Sequence, residues 1–85
     1  MSHRLFILRR AQKELADLPS DAYKKAKAAI LDLSENPRPD RCKKLTGREG
    51  WRIRVGDYRV IYKIIEDKVI VLIIDIDHRK SVYDD

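Results

Sequence analysis

Apolar and polar positions divide this chain into a short apolar run, two amphipathic stretches, a charged middle and a C-terminal half of alternating and continuous apolar segments. Leu5-Phe6-Ile7-Leu8 predicts a first strand. Ala11, Leu15 and Leu18 then recur at helical spacing with polar residues between them, and Pro19 closes that helix. Ser20 stands where a second helix needs its cap, and Asp21 suits the positive end of the helix dipole. Ala22, Ala26, Ala29, Ile30 and Leu33 form one apolar stripe that stops at Asn36-Pro37. So short a link makes the two helices an antiparallel hairpin packed through small alanine side chains. Residues 38–50, with Pro39, Gly47, Gly50 and many charges, read as loop. Residues 51–55 alternate apolar with basic, Gly56-Asp57 reads as a two-residue hairpin turn, and residues 58–65 return as a strand. After a turn near Glu66-Asp67, residues 69–76 are apolar almost throughout, which suits a central strand covered or strongly shielded on both faces. The expected fold is α+β, in one domain over residues 1–85. It comprises a short N-terminal strand, an antiparallel helical hairpin and a three-stranded antiparallel meander.

Charge, by where it falls along the chain, narrows the partner class. Charged residues make up 39% of the chain, while the 44% that are hydrophobic place it outside the disordered class. The net charge is +5 and is concentrated in the middle. From Arg38 to Lys63 stand nine basic residues (Arg38, Arg41, Lys43, Lys44, Arg48, Arg52, Arg54, Arg59 and Lys63) against Asp40, Glu49 and Asp57. A basic centre with nearly neutral flanks points to a polyanionic partner, nucleic acid first. Cys42 is alone, which excludes a disulfide framework and a cysteine-based zinc site. No metal or other cofactor is expected. The first ten residues do not read as a signal peptide, and no stretch approaches the roughly 20 apolar residues of a membrane span. The expectation is a cytoplasmic protein without a membrane partner.

The alternation in residues 51–55 sends Trp51, Ile53 and Val55 to one side of the sheet and Arg52 and Arg54 to the other. Two arginines on one face repel each other unless an anion lies between them. Arg59 and Lys63 add cations to the return strand. The face that Arg59 takes depends on hairpin register, and Asp75 or Asp77 across the sheet is its alternative partner. Trp51, Tyr58 and Tyr62 read as core and rim packing. His78-Arg79-Lys80-Ser81-Val82-Tyr83 follows the third strand. In a meander the end of the third strand lies beside the start of the second, so His78, Arg79 and Tyr83 are expected near Arg59. Arginine makes forked contacts with phosphate oxygens, but with a pKa above about 12 it does not accept a proton. Chemistry at a nucleic-acid phosphate requires both a stabilised phosphorane and proton transfers. The arginines suit the first task, and the proton transfers fall to Tyr83 and His78.

The segments KLTGREGWRIRVGDYRVIYKI, residues 44–64, and DIDHRKSVY, residues 75–83, together with the order of elements, resemble the RelE/ParE superfamily of bacterial and archaeal toxins. The resemblance covers nearly the whole chain and implies a RelE-like microbial RNase fold. RelE-like members are messenger RNA endonucleases that act in the ribosomal decoding site. ParE-like members keep the scaffold and poison DNA gyrase. The RelE-like site positions look like Arg52, Arg54, Arg59, Arg79 and Tyr83 here, and the tyrosine after HRKSV favours that branch. Some RelE-like members carry lysine where this chain has Arg52 and Arg54. Lys43, Lys44, Arg48, Lys63 and Lys80 are the expected further RNA contacts. The implied partners are the ribosome, messenger RNA and a cognate antitoxin, acidic and partly disordered, in a toxin–antitoxin hetero-oligomer. A gyrase poison and a non-catalytic module that binds antitoxin or nucleic acid are the alternatives. On the nuclease reading, Arg59→Ala abolishes toxicity and leaves the melting temperature nearly unchanged.

Overall fold

The structure, a computed structural model, describes residues 3–78. The chain runs β1 (Arg4–Ile7), α1 (Arg9–Ala16), α2 (Ser20–Glu35), β2 (Lys43–Lys44), β3 (Trp51–Val55), β4 (Tyr58–Ile65), a 3-10 turn (Glu66–Lys68) and β5 (Ile70–His78). The strands form one sheet in the order β1-β5-β4-β3-β2. The strands β3, β4 and β5 make the expected antiparallel meander. β1 enters the same sheet, pairing in parallel with β5 from Arg4 opposite Ile70 to Ile7 opposite Ile73. A parallel pair needs a long crossover, and the two helices supply it. β2 lies inside the segment that reads as loop, setting Lys43 opposite Arg52 and Lys44 opposite Trp51. Two residues are too few to leave an alternation pattern in a sequence.

The helices cover one face of the sheet. Ala11 of α1 and Ala26, Ala29, Ile30 and Leu33 of α2 pack on Ile53, Val55, Val60, Tyr62, Val71, Ile73 and Ile76. Fully burying one of these branched side chains contributes about 1.5–3 kcal/mol. Ser20 is the first residue of α2, Pro19 holds the N-cap position, and no side-chain cap bond forms there. The aromatic residues pack as the sequence suggests. Trp51 and Tyr58 lie against the core, and Tyr62 is fully buried with its hydroxyl donating to the Pro37 carbonyl at 2.6 Å. Burial and the neighbouring Cys42 hold that phenol well above its ordinary range. On the other face Phe6 is 45% exposed and Leu72 and Ile74 are half-buried, so β5 is dry on its helix side only. Among the described residues no helix is long and apolar enough to cross a membrane.

One irregularity decides what β5 presents. Tyr62 pairs with Ile73 but Ile61 pairs with Asp75, so Ile74 is an extra residue. Such a bulge flips the alternation of everything after it. Val71, Ile73 and Ile76 reach the core, while Asp75 and Asp77 turn to the open face. With strict alternation from Val71, Asp75 and Asp77 would have pointed into the apolar layer.

Candidate nucleic-acid interface

The tight turn at Gly56-Asp57, where Gly56 has φ of 60°, sets Val55 opposite Tyr58 and therefore Arg54 opposite Arg59. Residues directly opposite share a face, so Arg59 joins Arg52 and Arg54 on the side away from the helices. Arg59 in turn faces Asp77 on β5. One rung of the open face thus reads Arg54, Arg59, Asp77, and its neighbour reads Lys43, Arg52, Ile61, Asp75. Arg54 is exposed, whereas Arg52 and Arg59 are only 4% and 2% exposed. Like charges directly opposite one another destabilise a sheet. A row of guanidinium groups fixed by β3 and β4 is instead preorganised for the oxygens of a phosphodiester.

The far side of the same face is acidic. β1 stops at Ile7, and α1 takes over the edge of β5 beyond it. The Leu8 N–H donates to the Ile73 carbonyl at 3.0 Å, and the Ile76 N–H donates to Glu14 Oε1 at 3.0 Å. Arg10 Nη2 lies 3.2 Å from Asp75 Oδ2, and Arg10 Nε lies 3.7 Å from Glu14 Oε2. Carboxylate oxygens of Glu14, Asp75 and Asp77 fall within 4.8 Å of one another. They are close enough to gather round a cation, and the Arg10 guanidinium already supplies positive charge there. Burial, reinforced by Asp75, raises the pKa of Glu14 and pushes that of Asp77 up to about 6, even though Arg10 and Arg59 pull Asp77 down. The open face therefore runs from basic on β2 and β3 to acidic on β5.

Of the remaining predicted contacts, Lys43 extends this row and the others lie away from it. Lys43 is exposed beside Arg52, and Arg48 is exposed in the loop before β3. Lys44 and Lys63 line an open groove that also includes Arg38, Trp51, Glu66 and Leu72, with the Arg38 guanidinium 5.3 Å from the Trp51 ring centroid. His78 pairs with Tyr58 and sets its ring edge-on to it, centroids 5.1 Å apart. Tyr58 lies on the helix side, so the bulge that turns Asp77 toward Arg59 turns His78 away from it. Arg79, Lys80 and Tyr83 lie outside the described residues. The sequence reading used Asp77 only as a counter-ion and overlooked Glu14 and Arg10. Glu14 and Arg10 left no local signal, because only the packing of α1 against the edge of β5 brings them to Ile76 and Asp75.

The family model described as the ParE toxin of a type II toxin–antitoxin system matches residues 5–83. The chain belongs to the RelE/ParE toxin superfamily. Within it, the chain is 37% identical over 87 residues to a protein of Methanocaldococcus jannaschii that bears the name RelE1, covering 98% of this chain and 97% of that one. It is 31% identical to the mRNA interferase toxin RelE of Escherichia coli over 84% of this chain and 77% of the relative. The fold superposes on the crystal structure of the RelE–RelB complex from Pyrococcus horikoshii with a TM-score of 0.84 at 28% identity, covering 96% of this chain and all of that one. These relatives are named RelE, which favours the RelE branch, while the α+β fold is common to both branches.

Proposed function

We propose that this protein is a toxin that cuts messenger RNA in the decoding site of the ribosome, without a metal ion, and is restrained by an antitoxin. The observation that carries the proposal is the rung that sets Arg54 beside Arg59, flanked by Arg52 and Lys43, on the sheet face that the helices leave open. A phosphodiester laid along this row receives forked contacts from the exposed Arg54 guanidinium, with exposed Lys43 nearby and the buried Arg52 and Arg59 adding positive charge beneath. As the 2′-oxygen attacks, charge builds on the phosphorane oxygens, and donors already in place stabilise it; removing one such donor typically costs about 100- to 1000-fold in rate. The phosphorus–O5′ bond then breaks, leaving a 2′,3′-cyclic phosphate and a 5′-hydroxyl. Tyr83, carried over from the RelE pattern, is the group assigned to protonate the leaving oxygen. The relatives named mRNA interferase support the reaction class, and the solved RelE–RelB complex supports an antitoxin partner.

Purified protein and its Tyr83→Phe variant, added to programmed ribosomes, test the proposal. Breaks at the decoding site with the wild type and greatly slowed breaks with the variant are expected. Intact messenger with both proteins, accompanied by inhibition of DNA gyrase, places the chain with the gyrase poisons that share its scaffold. Neither activity leaves a module that only binds.

A further inference from the structure

We infer that Asp77 is the proton acceptor for the attacking 2′-hydroxyl, an inference that rests on the nuclease reading above. The arginine row provides charge but no base, because a guanidinium stays protonated in a protein. Among the described residues, His78 is turned to the opposite side of the sheet against Tyr58. Asp77 is different. The bulge at Ile74 delivers it to the open face, in the same rung as Arg54 and Arg59. A phosphate held by that rung brings its ribose within reach of the rung's acidic end.

The surroundings of Asp77 fit a base rather than a simple counter-ion. Arg59 faces it from β4, with Arg54 beyond on β3; Asp75 lies beside it on its own strand; Glu14 and Arg10 approach from α1. Burial and the charge of Asp75 lift its pKa to about 6 against the pull of Arg10 and Arg59. A carboxylate of that strength is still ionised at neutral pH and is a better proton acceptor than an ordinary aspartate. In the proposed step the 2′-hydroxyl proton passes to an Asp77 carboxylate oxygen as the 2′-oxygen bonds to phosphorus. The phosphorus–O5′ bond breaks, and O5′ takes its proton from Tyr83. Asp77 then returns its proton to solvent, so no further reagent is consumed.

Single-turnover cleavage on programmed ribosomes, measured from about pH 5 to 8, tests the assignment. For the wild type, the rate is expected to fall on acidification with a midpoint near the Asp77 value of about 6. Asp77→Asn is expected to lose at least about 100-fold in rate. It should bind a 2′-deoxy messenger on the ribosome as the wild type does, with its fold checked by circular dichroism. Asp75→Asn keeps the base and removes its negative neighbour, so the acid midpoint should move to lower pH; this readout does not require the Asp77 variant to fold. Wild-type cleavage matched by Asp77→Asn, or a wild-type rate flat across the range, overturns the role of Asp77 and leaves the nuclease reading standing. Intact messenger with the wild type overturns both.

Discussion

Asp77→Asn should stabilise this protein at neutral pH and make little difference in acid. Partial burial, reinforced by the neighbouring Asp75, raises the Asp77 pKa from 3.8 to about 6 in the folded state. Between about pH 4 and 6 the unfolded chain ionises this group while the folded chain keeps it protonated. The folded state then binds more protons, so stability falls as pH rises through that window and levels off above it. At about 1.4 kcal/mol per pH unit, the full displacement corresponds to roughly 3 kcal/mol. Asp77 is partly open to solvent and shares its repulsion with Asp75 and Glu14, which reduces the expected effect to about 1–3 kcal/mol. An asparagine has no charge to develop and escapes this loss. Thermal melts of both proteins at pH 4, 5, 6 and 7 should show a difference close to zero at pH 4 that grows in favour of the variant by pH 7. Each kcal/mol corresponds to roughly 4–8 °C in a domain of this size. A difference that does not change with pH, or a variant that loses ground as pH rises, would refute the reasoning and make the Asp77–Arg59 pair a net stabilising contact.

Arg54→Ala, at an exposed position, should cut messenger cleavage about 100- to 1000-fold and change stability by no more than about 0.5 kcal/mol, as read by single-turnover assays and urea melts. Arg59→Ala should lose activity and also about 1–3 kcal/mol of stability in the same melts, because Arg59 is 2% exposed and its loss strands Asp77. Tyr62→Phe removes the donor to the Pro37 carbonyl and should cost about 1–2 kcal/mol with cleavage chemistry intact. Gly50→Ala should destabilise by about 1–3 kcal/mol in thermal melts, since Gly50 has φ of 130° and an added Cβ would sit 3.1 Å from the Tyr62 carbonyl oxygen.

The hairpin was legible because its signals are local. Gly56-Asp57 fixed the turn, and period-two alternation on both flanks fixed the two faces. The register, and with it the face of Arg59, stayed open in the sequence; the structure settles it by setting Arg54 opposite Arg59. Exposure was not legible: alternation assigns a face but not how deeply a side chain sits on it. The expectation that Arg59→Ala spares the melting temperature is therefore replaced by one of combined loss, given the 2% exposure of Arg59. The role expected for His78 depended on a strand without irregularities. The Ile74 bulge exchanges the faces of Asp77 and His78, and its reason lies in long-range pairing. The apolar run 69–76 concealed it, since the one-residue slip exchanges one isoleucine for another. The parallel pairing of β1 with β5 and the two-residue β2 were also out of reach, because neither leaves a periodic pattern of its own.

The central claim is that the arginine face directs a messenger's own 2′-hydroxyl against its phosphate. The most direct measurement is the chemistry of the messenger ends left on programmed ribosomes by the wild-type protein. A 2′,3′-cyclic phosphate on the upstream fragment and a 5′-hydroxyl on the downstream fragment, both absent when the 2′-hydroxyl at the cleavage site is replaced by hydrogen, are the predicted result. A 3′-hydroxyl end, cleavage that persists on the 2′-deoxy messenger, or an intact messenger would contradict it.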